Sequence, residues 1–348
     1  ALAERGHQVY FVTNEPVFRL HELHDNIFCR HIETASYPLF KYPPHTLAMT
    51  TMIAEVAEEN EVDLWHAHYA IPHAAAALYA RAMLPREKRF KVVTTLHGTD
   101  ITLVGSDPSF FRTTKYAMER SHAVTAVSNW LTEETRTTFG LTRDIRTIYN
   151  FLNEKRLDEP PEDRTLLAAP DEKIVMHISN FRPVKRVTDV VRVFKRIAEA
   201  MPARLIMVGD GPERISAVGV ARHLDLCDKI KFLGTYEAIE RLLPLADLVI
   251  QPSEHESFGL VPLEAMASRA PVVATASGGI CEVVVHGETG YLCEVGDIEE
   301  MARCAIEVLS DPAKAQIMGE EGRARALNCF SRERIIGQYE ELYRGLLS

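Results

Sequence analysis

The sequence predicts two doubly wound α/β domains, each built on a parallel sheet between layers of helix. Three observations predict it. The chain has 348 residues, about twice the length of a typical domain. Short apolar, β-branched runs alternate with helix-period segments nearly throughout, as strands buried on both faces and joined by crossover helices require. A break rich in proline and charge, NEKRLDEPPEDRTLLAAP at 153–170, divides the pattern into halves and reads as the linker into the second domain.

In the first half the strand candidates are Val9–Val12, Val62–His66, Val92–Leu96, Val124–Val127 and Ile145–Ile148. Met49, Ile53 and Val56 share one face of a predicted helix over Thr46–Asn60. In the second half the strands are Ile174–Ile178, Leu205–Val208, Ile230–Leu233, Leu248–Ile250 and Val272–Ala274. This gives a first domain over 1–160, a second over 161–328, and a C-terminal helix over 329–348 expected to pack back on the first.

Composition narrows the function classes. With 46% hydrophobic and 25% charged residues the chain can bury two cores. A net charge of −10 argues against nucleic acid as a partner, since phosphate backbones need a basic face. No run of about 18 apolar residues is present, so no membrane span is expected. The basic cluster RAMLPREKRFK (81–91) reads as a solvated loop, and membrane association is not expected. The start, ALAERGHQVYFV, lacks the form of a signal peptide. Six scattered cysteines without a C-x-x-C pair read as free thiols in a reducing cytoplasm. Small-molecule substrates are the expected partners, and a homodimer is left open.

The most informative stretch is DLVIQPSEHESFGLVPLEAMA, residues 247–267. An apolar strand runs into a short loop, and the loop into a helix beginning near Gly259. The N–H groups of Phe258, Gly259 and Leu260 lie at the positive end of that helix, where a phosphate can be held. Glu264, about one turn in, can accept from ribose hydroxyls, and Glu256, in the loop, from sugar hydroxyls. The alternative is a plain strand–loop–helix unit with two solvated glutamates. HISNFRPVKR (177–186) follows another strand and opens a helix, with Arg182 and Lys185 one turn apart and Arg186 as a substitute. Cations at a helix N-terminus are misplaced unless an anion arrives. The glycines of the turn VGDGPE (208–213) permit close backbone approach to a ligand, and a plain tight turn is the alternative.

In the first half, WHAHYAIPH (65–73) carries His66, His68 and His73, but no carboxylate or cysteine completes a metal set. Tyr69 sits at a strand's C-terminal end, where open α/β sheets bind ligands. TTLHGTDIT (94–102) places His97 and Thr99 at the end of the next strand, at the expected cleft floor. Ser128, Asn129 and Asn150 end two further strands, and Arg112 and Lys115 lie on the intervening helix.

The phrase ESFGLVPLEAMA, with Glu256 and Glu264 separated by seven residues, resembles the E-x7-E signature of the retaining glycosyltransferases of family four. The resemblance covers the whole chain. It implies the GT-B fold, two Rossmann-like domains facing a cleft, and a metal-independent transfer with no cofactor. It implies catalytic roles for Arg182, Lys185, Glu256 and His97. Glu264, Phe258, Gly259, Leu260, Gly209 and Asp210 would bind the donor, and Tyr69, Thr99, Arg112, Lys115, Asn129 and Asn150 the acceptor. One departure stands out: where most members have an arginine five residues before the lysine, this chain has Asn180. HYAIPHA, TTLHGTDIT with a following DPS, and HISNFRPVKR resemble the branch that uses UDP-N-acetylglucosamine as donor and L-malate as acceptor, in bacillithiol biosynthesis. A lipid or sugar acceptor is the alternative within the family, and a non-catalytic sugar-binding protein the alternative outside it. The family pattern also places a strand and a glycine-rich loop ahead of ALAERGHQVYF, so about 20–30 further residues are expected upstream.

From the motif alone, Glu264→Ala is expected to weaken UDP binding by about 1.5–3 kcal/mol, because dry ribose hydroxyls lose their acceptors. Calorimetry on the folded variant measures this, and an unchanged affinity removes the role.

Overall fold

The computed structural model describes residues 1–14, 25–34, 41 and 44–348. The chain forms two compact units, Ala1–Tyr149 with Ile335–Ser348, and Asn150–Arg334. Among the described residues no helix is long and apolar enough to cross a membrane. All six cysteines are free thiols.

In the first unit β1 (Val9–Thr13) and β2 (Ile27–His31) pair in parallel. β3 (Leu64–His68), β4 (Lys91–Leu96), β5 (Ala123–Ala126) and β6 (Arg146–Thr147) form a second parallel sheet in sequence order. Among the described residues these two sheets are separate, where the sequence suggested one. α1 (His45–Glu59) buries Met49, Ile53 and Val56, the face its period marked. α2 (Ala75–Met83) presents Ala76, Ala77 and Ala80, and these small side chains share one core with Ile53, Leu84, Phe90 and Val92. α3 (Thr99–Thr102), α4 (Phe111–Arg120) and α5 (Asn129–Phe139) follow the later strands. The C-terminal helix spans Arg332–Leu347, and from Ile335 onward it belongs to this unit.

The second unit holds β7 (Lys173–Ile178), β8 (Ala203–Val208), β9 (Ile230–Gly234), β10 (Leu248–Gln251), β11 (Val272–Thr275) and β12 (Gly290–Cys293). Its helices are α6 (Val187–Ala200), α7 (Arg214–His223), α8 (Ile239–Leu242), α9 (Leu260–Ala267), α10 (Ile280–Val283), α11 (Ile298–Ser310) and α12 (Pro312–Cys329). The strand order is β12-β11-β10-β7-β8-β9. The chain lays β8 and β9 to one side of β7, then crosses over and lays β10, β11 and β12 to the other. In a parallel sheet the loops diverge at such a reversal and leave a crevice at the strands' C-terminal ends. That point lies between β7 and β10.

Several expectations need correction. β3 begins two residues later than expected, because the Val62 N–H bonds back to the Asn60 carbonyl in a turn. β6 keeps only two residues of the apolar run around Ile145–Ile148. β2 and β12 were missed, since IFCRH is half polar and GYLC opens on glycine. The 153–170 segment is no free linker, and the units divide at 149/150 rather than at 160/161. Arg164 donates to the carbonyls of Leu245 (2.8 Å) and Glu172 (2.9 Å) and pairs with Asp247 at 2.9 Å. Glu162 accepts from Tyr236 at 2.6 Å and pairs with Arg241 at 3.1 Å.

The core of the second unit turns on α6, whose Val190, Val191, Phe194 and Ile197 are fully buried, at 0% exposure, in one cluster with residues of α11 and the sheet. Phe194→Ala is expected to lower stability by about 3–5 kcal/mol, read from the urea midpoint. A loss below about 1 kcal/mol would show that α6 does not anchor this core.

Candidate active site

The loop after β7 is bent by its own residues. Phe181 takes φ 41° and buries its ring completely, so the chain must turn there. Pro183–Lys185 form a single 3-10 turn, Arg186 takes φ 48°, and α6 starts only at Val187. Arg182 and Lys185 therefore precede the helix instead of lying on its first turn. The bend is also held from below. His177, fully buried, lies 2.9 Å through Nδ1 from the Ile250 carbonyl and 2.8 Å through Nε2 from the Ser179 hydroxyl. A carbonyl only accepts, so Nδ1 carries the proton and Nε2 accepts from Ser179. The Phe181 N–H donates to the same hydroxyl oxygen at 3.2 Å.

The loop after β10 meets this bend. The Glu254 N–H donates to the Val184 carbonyl at 2.8 Å, and the Gly279 N–H to the Glu256 carbonyl at 2.7 Å. A Cβ on Gly278, at φ 72°, would stand 2.2 Å from the Glu256 carbonyl oxygen, so only glycine fits. Lys185 Nζ lies 2.6 Å from Glu256 Oε2, with the two side chains 19% and 16% exposed. The anion that the cation at 185 called for is thus a carboxylate of the chain itself. Arg186 is committed elsewhere: it pairs with buried Asp189 at 2.6 Å, and Arg192 reaches the same carboxylate at 2.7 Å. Arg182 is exposed.

Gly259 takes φ 102° and caps α9, so the N–H groups of Phe258, Gly259 and Leu260 lie at the helix's positive end. The Phe258 ring is buried edge-on against Phe330, with ring centroids 5.6 Å apart. Leu260 is exposed, and Glu264 is half-buried one turn in. Gly209, at φ 112°, packs against the main chain after β7: a Cβ there would lie 1.8 Å from the Ser179 carbonyl oxygen. Asp210 is exposed and lies 3.7 Å from Arg214. The structure thus brings Lys185, Glu256, Gly209 and the α9 N-terminus together around the switch point.

The first unit gathers a second group at the ends of β3 and β4. His68 Nδ1 and His97 Nε2 are 2.9 Å apart, and the Tyr69 ring lies 4.9 Å from that of His97. Asp100, 2% exposed, fixes the turn by accepting from the N–H groups of Ala70 (2.8 Å), His97 (3.2 Å) and Gly98 (3.0 Å). Thr99 opens α3 beside it. His66 lies 2.6 Å from both the Tyr343 hydroxyl and the Thr95 hydroxyl. Burial holds the imidazole of His66 well below its usual range and that of His97 at about 3, so both are neutral near pH 7. Among the described residues no three His, Cys, Asp or Glu side chains gather as metal ligands. The turn Gly98-Thr99-Asp100 stands at the strand end, where the sequence put it; the sequence did not show that Asp100 is the acceptor that ties it together.

The other candidates take the following places. Asn129 follows the α5 cap Ser128 and donates to the Tyr149 hydroxyl at 2.9 Å. Lys115 pairs with Glu119 at 3.9 Å and lies within 4.0 Å of where a Gly140 Cβ would stand. Gly140 caps the far end of α5, about 16 Å along the helix from Ser128, so Lys115 stands outside the strand-end group. Arg112 is exposed on α4. Asn150 begins the second unit, whereas the sequence placed it in the first.

Residues 1–156 match the family model "Glycosyltransferase Family 4", and residues 158–325 the model "Glycosyl transferases group 1". The N-acetyl-alpha-D-glucosaminyl L-malate synthase of Bacillus anthracis is 44% identical over 99% of this chain and 91% of its own. Among solved structures, a sucrose-phosphate synthase from Thermosynechococcus elongatus superposes with a TM-score of 0.83 at 26% identity, covering 99% of this chain and 90% of that one. A glycosyltransferase from Rickettsia africae, at 22% identity, shares the fold with a TM-score of 0.80 over 100% of this chain and 92% of its own. The two parallel-sheet units are those of the GT-B class.

Acid should weaken this protein through its buried imidazoles. Burial pushes His177 down to about 4, against 6.5 for an exposed histidine. Below about pH 6.5 the unfolded chain takes up a proton that the folded one refuses, so stability falls as pH drops toward 4. His97 and His66 act in the same direction. Melting temperature is expected to fall between pH 7 and 4.5, and less steeply in His177→Asn, whose amide can still donate to Ile250. An identical slope in the variant would clear His177 of the effect.

Proposed function

Because this chain belongs to glycosyltransferase family 4, we propose that it transfers N-acetylglucosamine from UDP-N-acetylglucosamine to the hydroxyl of L-malate with retention, the first step of bacillithiol biosynthesis. One observation carries the choice of substrates: 44% identity to the malate synthase, spread over 99% of the chain. The geometry around the β7/β10 switch point supports a diphosphate donor.

In this reading the α9 N-terminus and the cations Arg182 and Lys185 hold the diphosphate and stabilise the charge that grows on it as it leaves. Glu264 takes the ribose hydroxyls, and Gly209 with Asp210 borders the nucleotide. Glu256 takes hydroxyls of the transferred sugar. The bond from the anomeric carbon to the phosphate oxygen breaks while a bond to the malate hydroxyl oxygen forms on the same face. The departing phosphate oxygen accepts the hydroxyl proton. His97, neutral and buttressed by His68, serves the acceptor side with Tyr69 and Thr99, and Arg112 remains a candidate for acceptor charge. The reading needs no metal, nucleic acid or membrane, and suits a cytoplasmic enzyme.

UDP release from UDP-N-acetylglucosamine, with and without L-malate, tests it. Malate is expected to raise the rate at least about tenfold over background hydrolysis. Release that responds only to a sugar or lipid acceptor would assign a different acceptor.

A further inference from the structure

We propose that the Lys185–Glu256 ion pair is a latch that makes the donor site favour a nucleotide sugar over the free nucleoside diphosphate. The proposal rests on the donor reading above. Both groups are largely withdrawn from water, and their 2.6 Å contact neutralises each with the other. The main chain on either side is fixed. The Glu256 carbonyl is held by the Gly279 N–H at 2.7 Å and crowds the side of Gly278. The Lys185 turn closes through its N–H to the Arg182 carbonyl at 2.8 Å, and Val184 is tied to Glu254 at 2.8 Å. Opening the pair is therefore a movement of side chains, not of loops.

A diphosphate that draws Lys185 onto its own oxygens weakens the contact with Glu256. If the ligand carries no sugar, a carboxylate with little access to water loses its counter-charge, and binding is weakened by that loss. A nucleotide sugar brings phosphate oxygens for Lys185 and hydroxyl donors for Glu256 together, so both partners are replaced in one step. The same pair thus loosens the nucleoside diphosphate left behind after transfer. Glu256 then sets specificity between substrate and product, beyond touching the sugar.

Calorimetry on the full chain with UDP and with UDP-N-acetylglucosamine tests this in wild type, Glu256→Gln, Lys185→Ala and the double variant. Glu254→Gln controls for charge, since it removes an exposed carboxylate from the same loop. Glu256→Gln is expected to bind UDP about five- to tenfold more tightly and to lose preference for the nucleotide sugar. That gain should vanish in the Lys185→Ala background, and Glu254→Gln should shift UDP affinity less than about twofold. Unchanged or weaker UDP binding by Glu256→Gln overturns the latch alone, as does an equal gain in Glu254→Gln or without Lys185. A wild-type chain that fails to bind UDP overturns the donor reading and the latch with it.

Discussion

The parallel pairing of β7 with β10 determines where the chemistry of the second unit can sit. Leu248 lies opposite Val175 and Val249 opposite Met176, a short ladder for two strands so far apart in the chain. Side chains hold it at both ends. At the foot, Asp247 accepts from the Ile174 N–H at 2.8 Å and from Arg164 at 2.9 Å. At the top, His177 donates to the Ile250 carbonyl at 2.9 Å. Each such bond contributes on the order of 1 kcal/mol, but together they fix which loops leave the sheet side by side. Lys185 and Glu256, 71 residues apart, meet because of that placement.

The two units handle charge at their strand ends in opposite ways. In the second, the Lys185 amine and the Glu256 carboxylate pair at 2.6 Å beside the crevice. In the first, burial suppresses ionisation, so His66, His68 and His97 stack and hydrogen-bond as neutral rings. Asp100 receives three main-chain N–H groups while burial raises its pKa. A group kept neutral contributes shape and directed hydrogen bonds, whereas a paired ion can be exchanged for a ligand's charge.

Much of this was legible in the sequence. Strands buried on both faces leave β-branched runs, so most strands and the alternating order could be read directly. Glu256, Gly259 and Glu264 were legible because a loop that caps a helix leaves a glycine beside its carboxylates. The partner of Lys185 was not, since pairing across the sheet depends on strand order and not on local spacing. The bend at Phe181 and Arg186, both at positive φ without glycine, carries no compositional mark. That the Lys115 amine reaches toward the Gly140 end of α5 was not legible, because helix membership says nothing about which end of a neighbouring helix a long side chain reaches. The 149/150 boundary lay hidden because proline and charge mark the surface path of a segment but not which unit it packs on.

Gly209 and Gly278 press directly on carbonyl oxygens of Ser179 and Glu256. What they touch is main chain, which cannot swing aside as a side chain can. The floor of the crevice is therefore written in backbone and is closed to substitution, whatever ligand the protein is asked to take. Change in what the crevice accepts must come from side chains around these two positions, among them the exposed Asp210 and Leu260. A saturation map of this unit should then show two silent columns at these glycines, with tolerance rising at the exposed positions around them.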